Sequence, residues 1–205
     1  EEAPTALAAT VAQLRAGEHV LVLGAAGGTG TAAVNLGKLM GAKVIAAAST
    51  EAKRAFAMTQ GADLALDYTR PDWRDTLKGL TGGSGVDVIF DGVGGEISPL
   101  AFRSLAWRGR HLVVGFAAGK IPALPFNIAL LKGASLMGVD LAQVRTREPQ
   151  IHARLVTLLL RWFAEGRLRP PAVEVFDFAD FHAAFAAMAR RNALGKMVVR
   201  IAPAA

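Results

Sequence analysis

Short runs of apolar residues recur along the first two thirds of the chain, and helical spacing of apolar positions follows each run. In the run HVLVLG at residues 19–24, apolar residues occupy both sets of alternating positions, one for each face of the sheet. This is typical of a strand buried on both faces of a parallel sheet. In residues 31–40 the apolar positions recur three and four apart and predict a helix. Strands alternating with helices predict an α/β fold with a doubly wound parallel sheet.

The same criteria predict the remaining elements. Further strands are expected at residues 43–49, 63–68, 111–116 and 135–139, and residues 86–95 are expected to form a strand that leads into a glycine loop. Further helices are expected at 51–61, 69–83 and 97–109. The pattern changes near residue 142. Beyond it we expect a long amphipathic helix over 148–165, an extended segment at 172–176, a helix capped by Asp177 and a final strand at 196–201. We therefore expect a first domain over 1–142 and a distinct C-terminal segment over 143–205.

Composition excludes several classes of protein. Hydrophobic residues make up 52% of the 205 residues and charged residues 20%, which argues against disorder. The chain has no cysteine, which excludes a disulfide framework, a cysteine-ligated zinc site and a thiol nucleophile within it. The absence of cysteine fits a reducing compartment, so we expect a cytoplasmic protein.

Charge and hydropathy bear on partners. The first ten residues, EEAPTALAAT, are not typical of a signal peptide, and no uninterrupted apolar run approaches the ~20 residues of a membrane helix. We therefore expect no membrane partner. The net charge of +6 permits an anionic ligand, but the basic residues are scattered along the sequence. We expect a solvated basic surface rather than a nucleic-acid interface.

A glycine cluster, GAAGGTG at residues 24–30, lies between the first predicted strand and the first predicted helix. Glycines remove the side chains that would block a phosphate from backbone N–H groups, and the start of a helix adds the positive end of its dipole. The cluster therefore predicts dinucleotide binding, the alternative being a tight turn without a ligand. Glycine loops at residues 91–95 and 115–117 favour the cofactor, since ligands of open α/β sheets bind at such strand ends.

The end of the second predicted strand favours NADPH. NAD sites usually place an acidic residue about 20 positions beyond the glycines to bind the adenosine ribose. Here the chain has Ser49 and Thr50, with no acid before Glu51, and Lys53 follows within one turn. Hydroxyls and a cation suit a 2′-phosphate. The alternative is that Ser49 and Thr50 only cap the next helix and that Lys53 is solvated.

Six motifs, in order and at matching spacing, resemble one family. They are LVLGAAGGTG, GADLALDYT, LTGGSGVDVIFDGVGG, HLVVGFAAG, LRPPAVEVF and ALGKMVVRI. The chain is similar over residues 5–201 to the zeta-crystallin-like quinone oxidoreductase branch of the medium-chain dehydrogenase/reductases, which is zinc-independent. The resemblance implies a Rossmann NADP-binding domain over 1–142. It also implies that 143–205 belongs to a GroES-like catalytic domain whose N-terminal part is expected to be absent from this chain.

The resemblance assigns cofactor contacts to three groups of residues. The pyrophosphate loop comprises Ala26, Gly27, Gly28, Thr29 and Gly30; the 2′-phosphate group comprises Ser49, Thr50, Lys53, Tyr68 and Arg191; the nicotinamide group comprises Val93, Gly94, Gly115, Phe116 and Ala117. Two positions depart from the family pattern: Thr29, where valine is commoner, and Asp140, where an aromatic or small residue is common. No catalytic side chain is expected, because the nicotinamide carries the hydride chemistry.

The activity implied by the resemblance is hydride transfer from NADPH to a quinone or a conjugated enone, in a homodimer formed through the sheet edge near 135–139. An enoyl reductase fragment acting on a thioester is one alternative, and a non-catalytic NADPH- or RNA-binding module is another.

The remaining candidate residues predict no further chemistry. The four histidines, His19, His111, His152 and His182, lack metal-ligand spacing and are expected at the surface or in satisfied, partly buried positions. We discern no Ser-His-Asp order and no paired carboxylates. Trp73, Trp107 and Trp162 are expected to pack among apolar residues.

Overall fold

The computed structural model describes residues 12–169, 173–190 and 194–201, and a six-stranded parallel sheet dominates them. The strands are β1 His19–Leu23, β2 Lys43–Ala47, β3 Leu64–Leu66, β4 Val86–Asp91, β5 Leu105–Val113 and β6 Ser135–Gly138. Their spatial order is β3-β2-β1-β4-β5-β6, so the chain crosses from one edge of the sheet to its middle between β3 and β4. The predicted doubly wound α/β fold is confirmed.

Helices cover both faces of this sheet. They are α1 Gly28–Leu39, α2 Glu51–Thr59, α3 Trp73–Leu80, α4 Ile97–Phe102, α5 Phe126–Lys132, α6 Leu141–Arg147 and α7 Pro149–Ala164. The buried residues form two clusters, one containing residues of α1, α2 and α7, the other residues of α3, α4 and α5. Each cluster takes alternate residues of the strands.

Strand β1 shows why the fold needs apolar residues at successive positions. Val20 and Val22 belong to one cluster, and Leu21 and Leu23 belong to the other. All four are at most 4% exposed. Burial of each such side chain contributes about 1.5–3 kcal/mol, so β1 ties the two layers together.

The predicted helix over 97–109 is wrong beyond Phe102. Leu105 already belongs to β5, pairs with Val86 and is 1% exposed. Arg108 has a φ of +61°, which a right-handed helix does not accommodate. Burial of Leu105 beside β4 therefore prevails over the local helical spacing, and a register shift between Val86 and Val88 accommodates the extra residues. The apolar pattern also did not predict α5 and α6.

The C-terminal segment contributes to both parts of the structure. Leu155 and Leu159 of α7 are buried in the same cluster as Val20. Beyond them, β7 Val173–Asp177, a short 3₁₀ turn Phe178–Asp180, α8 Phe181–Ala189 and β8 Lys196–Arg200 follow. Strands β7 and β8 pair in parallel as a separate two-stranded sheet. The division of the chain near residue 142 stays a prediction.

Candidate dinucleotide-binding site

A cleft of about 470 Å³ lies where the loops following β1, β2, β3, β4 and β5 meet. Its lining residues are Gly24, Ala26, Gly27, Ala48, Ser49, Lys53, Tyr68, Val93, Ala117, Ala118 and Met188. Strands β1 and β4 are neighbours, but the helices that follow them pack on opposite faces of the sheet. Ligands of open α/β sheets bind in the crevice that such a switch point creates.

The glycine loop after β1 is packed too closely for side chains. Gly24 has a φ of +68°, and a Cβ on it would lie 2.9 Å from Cγ2 of Val93. A Cβ on Gly30 would lie 2.2 Å from the carbonyl oxygen of Gly24 and 2.8 Å from Cα of Ala25. Glycine at these two positions is what lets the loop, helix α1 and the loop after β4 converge on one edge of the cleft.

The N-terminus of α1 has the features of an anion site. Its cap, Gly27, is extended and provides no side-chain hydrogen bond, and the first turn carries no acidic residue. The first N–H groups of a helix have no carbonyl partner within the helix, and the helix dipole is positive there. Gly27 lines the cleft, so this end of α1 fits a pyrophosphate. Gly28, Thr29 and Gly30 form the first turn behind it.

The loop after β2 places Ser49 and Thr50 differently. Oγ1 of Thr50 accepts a hydrogen bond of 3.3 Å from the backbone N–H of Lys53, so Thr50 is the N-cap of α2. Thr50 is exposed and does not line the cleft, whereas Ser49 and Lys53 do. Tyr68, which follows β3, completes this side of the cleft.

Lys53 contributes the only charged side chain among the described residues that line the cleft. Asp67 lies next to Tyr68, but NH1 of Arg54 is 2.9 Å from its Oδ2. Hydrogen bonds from the hydroxyl and the N–H of Thr69, together with Arg54, hold the pKa of Asp67 below its usual value. The negative charge of Asp67 is therefore compensated locally, and Lys53 gives this end of the cleft a positive charge.

The loops after β4 and β5 form the opposite wall and are hydrogen-bonded to each other. The N–H of Ala117 donates to the carbonyl of Gly92 at 3.1 Å, and the N–H of Ala118 donates to that of Val93 at 2.9 Å. Val93, Ala117 and Ala118 line the cleft. A Cβ on Gly94 would lie 2.8 Å from the ring of Phe116, so this wall is also tightly packed.

Asp91, at the end of β4, is buried under this wall and was not among the expected site residues. Its Oδ1 accepts hydrogen bonds of 2.9 Å from the N–H groups of Val93 and Gly94. Its Oδ2 accepts from the hydroxyl of Ser98 and lies 2.9 Å from Nε2 of His111. Burial opposes ionisation, but the hydrogen bonds from His111, Ser98 and Gly94 outweigh it and lower the pKa of Asp91.

This cluster corrects the expectation for His111. His111 is fully buried, and its Nδ1 has no hydrogen-bond partner among the described residues, so it is neither a surface histidine nor a fully satisfied one. An aspartate, a serine and a histidine do come together, with the carboxylate at the centre accepting from both partners. The chain order Asp91, Ser98, His111 has no fixed spacing that identifies such a cluster.

The structure brings seven of the predicted site residues to the cleft and leaves others beside it. The seven are Ala26, Gly27, Ser49, Lys53, Tyr68, Val93 and Ala117. Phe116 instead lines a neighbouring apolar cavity of about 230 Å³ with Ser98 and His111, and Gly115 lines neither. Arg191 lies outside the described residues. Met188 joins the cleft from α8, a contact for which its sequence surroundings provide no signal.

Among the described residues, the C-terminal segment reaches the glycine loop through a backbone contact of Gly195. The N–H of Gly195, just before β8, donates to the carbonyl of Ala26 at 2.8 Å. Gly195 thereby forms an isolated parallel bridge with Gly27. The segment beyond β7 therefore helps to shape the cleft as well as carrying Met188 to it.

Within residues 12–169, 173–190 and 194–201, no three His, Cys, Asp or Glu side chains gather as metal ligands do. None of the helices there combines the length and the apolar character that a membrane span requires.

The chain is similar to known proteins in both sequence and structure. The family model described as zinc-binding dehydrogenase matches residues 28–157. Quinone oxidoreductase-like protein 2 of Bos taurus is 39% identical over 186 residues, which cover 90% of this chain and 53% of the bovine protein. The chain thus spans about half the length of this relative.

Solved structures extend the comparison. The quinone oxidoreductase of Thermus thermophilus, whose structures include a complex with NADPH, is 34% identical with a TM-score of 0.83. The match covers 98% of this chain and 63% of that one. The CurK enoyl reductase is 27% identical with a TM-score of 0.84, over 98% of this chain and 60% of that one.

Proposed function

Because this chain belongs to the zinc-binding dehydrogenases, in the zinc-independent quinone oxidoreductase branch of the medium-chain dehydrogenase/reductases, we propose that it is the NADPH-binding part of an oxidoreductase that reduces quinones or conjugated enones. One observation carries this proposal. A single cleft is lined both by the N-terminus of α1, which has no capping side chain, and by the cation of Lys53. Those two features match the pyrophosphate and the 2′-phosphate of NADPH.

The residues divide the cofactor among them. The N–H groups at the start of α1, beside Ala26 and Gly27, hold the pyrophosphate. Lys53, Ser49 and Tyr68 take the 2′-phosphate, with Lys53 as the cation. A 2′-phosphate bound by a lysine forms a charge-assisted hydrogen bond, which is stronger than a neutral one.

The nicotinamide end lies against Val93 and Ala117, which line the cleft from the loops after β4 and β5. Bound NADPH supplies the hydride, and the protein orients the ring. Val93 and Ala117 present apolar surface to the cleft, and the hydrogen bonds between their loops hold this wall in place. A wall without charge excludes water from the face on which it packs.

A second candidate is an enoyl reductase that acts on a thioester. The match to the CurK enoyl reductase supports it, because that structure covers 98% of this chain. Both candidates use the same cofactor site and differ only in the acceptor. Parallel assays with a naphthoquinone and with an enoyl thioester distinguish them.

Titration of the 205-residue chain with NADPH, followed by the fluorescence of the cofactor, tests the proposal. We expect saturable binding together with slow quinone turnover, because the chain spans about half the length of its relatives and hydride transfer needs both reactants positioned. Absence of NADPH binding would contradict the proposal. Turnover near the ~10 s⁻¹ typical of enzymes would contradict the expectation that the remaining part of the relatives completes the acceptor site.

A further inference from the structure

A second polar cleft lies at the opposite end of the sheet from the cofactor cleft. It has a volume of about 390 Å³. Its lining residues are Arg74, Asp75, Lys78, Gly83, Ser84, Gly85, Arg103, Ser104, Leu105 and Lys132. The stretch 83–85 directly precedes β4, and 103–104 directly precede β5, which places this basic cleft at the amino ends of those strands. The cofactor cleft lies at their carboxyl ends.

Among the described residues, four cations and a single carboxylate line the basic cleft. Arg74 and Lys78 come from α3, Arg103 follows α4, and Lys132 ends α5. In the part of the chain that the structure describes, none of these four lies within 4.0 Å of a carboxylate oxygen as an ion pair. The charge of Asp75 does not balance the four cations, so the basic cleft carries a net positive charge. The fold brings these four cations, which come from three separate stretches of the sequence, to one cleft.

Two of the four cations are oriented by hydrogen bonds that leave other donors for a ligand. Nε of Arg74 donates to Oγ of Ser104 at 3.3 Å, and Nζ of Lys132 donates to the carbonyl of Leu105 at 2.6 Å. Burial and the nearby charge of Arg74 lower the pKa of Lys132. Lys132 and Arg74 thus repel each other across the cleft, and a bound anion would relieve that repulsion.

We propose that the basic cleft binds a small anion bearing a diphosphate group. Guanidinium groups match phosphate oxygens in a bidentate geometry, and lysines add point charges. The volume falls in the range of small-molecule sites. The cations converge on one cavity rather than forming a stripe along a surface, which favours a compact anion over a nucleic-acid backbone. The site is independent of the function proposed above.

Isothermal titration with inorganic pyrophosphate tests the site on three variants of the 205-residue chain. The double variant Arg74→Gln/Arg103→Gln removes two exposed cations of the basic cleft. The matched control Arg161→Gln/Arg167→Gln removes the same charge from exposed positions beside Glu165. Lys53→Ala removes the cation of the cofactor cleft. Circular dichroism verifies that each variant is folded.

We expect the Arg74/Arg103 double variant to raise the Kd for pyrophosphate at least about tenfold, the effect of one lost charge-assisted contact, while the other two variants leave it unchanged. Equal weakening by the Arg161/Arg167 control would overturn the proposal in favour of general charge attraction. Weakening by Lys53→Ala alone would place the pyrophosphate in the cofactor cleft. No saturable binding at millimolar pyrophosphate, with a single-stranded RNA bound through Arg74 and Arg103 instead, would overturn it in favour of a nucleic-acid surface.

Discussion

Nε2 of His111 lies 2.9 Å from Oδ2 of Asp91 inside the core, at the base of the wall that faces the cofactor cleft. The ionised carboxylate of Asp91 only accepts hydrogen bonds, so Nε2 is the donor. Ser98 donates to the same oxygen, and Oδ1 takes the N–H groups of Val93 and Gly94. The carboxylate thus accepts four hydrogen bonds and connects Ser98 and His111 to the loop after β4.

Replacement of Asp91 by asparagine is expected to weaken NADPH binding about tenfold, the effect of one charged hydrogen bond. Asparagine offers one acceptor oxygen in place of two, so either the loop amides or Ser98 and His111 lose their partner. The analogue 2′,5′-ADP lacks the nicotinamide half, and its affinity should not change. Fluorescence titration of NADPH and calorimetric titration of 2′,5′-ADP measure the difference.

Asp87→Asn is the matched control for this prediction, because Asp87 lies on the same strand but near its amino end, where it accepts from the backbone N–H of His19. It should leave both affinities unchanged. Equal weakening of NADPH and 2′,5′-ADP by Asp91→Asn would show that the carboxylate supports the fold as a whole. If the unmodified chain binds neither compound, the cofactor proposal itself fails.

Acid stability should depend on Asp91. Its folded-state pKa lies below the ordinary value of 3.8, so the ionised form is favoured in the folded protein. The resulting stability is present above the unfolded pKa and is lost as the pH falls through the folded pKa. Urea unfolding between about pH 5 and pH 2 should show a shallower decline in the free energy of unfolding for Asp91→Asn than for the unmodified chain. An equal decline in the free energy of unfolding for both proteins would contradict the lowered pKa of Asp91.

Lys53→Ala should lower the affinity for NADPH by about tenfold to a hundredfold and leave NADH nearly unchanged. Only NADPH carries the 2′-phosphate, and Lys53 is the charged side chain among the described residues of the cofactor cleft. Lys38→Ala, at the far end of α1, removes the same charge away from the cleft and serves as control. Both cofactors are titrated at one ionic strength, because screening changes such contacts. Equal loss of NADPH and NADH affinity would refute the 2′-phosphate assignment.

Gly30→Ala should abolish NADPH binding and destabilise the chain. The added Cβ would lie 2.2 Å from the carbonyl oxygen of Gly24, so the glycine loop or α1 must shift. Gly79→Ala is the matched change in a helix, since a Cβ there meets nothing within 4 Å. It should stabilise α3 by about 0.5–1 kcal/mol. Thermal unfolding and NADPH titration of both variants provide the measurements; normal NADPH binding by Gly30→Ala would be inconsistent with the packed loop.

Self-association is expected through the edge strand β6. In α5, the helix that precedes β6, Phe126, Leu130 and Leu131 are 89%, 79% and 74% exposed, and Leu136 of β6 is 54% exposed. Open strand edges and apolar patches of this kind bind partners. Light scattering should give a mass above 21.4 kDa, and Leu130→Glu/Leu131→Glu should reduce it to the monomer.

Leu160→Glu/Phe163→Glu on α7 is the control for the edge, because these side chains are 65% and 54% exposed on another element. Dissociation by this control to the same extent would move the interface to α7. A monomer for the unmodified chain at tens of micromolar would exclude the dimer.

Local spacing in the sequence by itself determined the α/β order, the glycine loop and the residues that follow β2. These features depend on short-range chemistry: strands buried on both faces must be apolar throughout, and a helix that approaches a loop as closely as α1 does requires Gly30. The cap at Thr50 is likewise a contact between residues three apart. A single stretch of chain contains all that such contacts need.

Tertiary structure alone decided the features that join distant stretches. His111 meets Asp91 from 20 residues away because β4 and β5 pair in parallel, and Leu105 is drawn into β5 by the same pairing. Trp107, expected to pack, is 68% exposed and lies between Leu105 and Arg110, where the pairing of β5 with β4 is irregular. Arg74 and Lys132 gather at one cleft only after the sheet has placed α3 and α5 on the same face. No spacing along the chain encodes these encounters, because the energy that produces them comes from burial across the whole sheet.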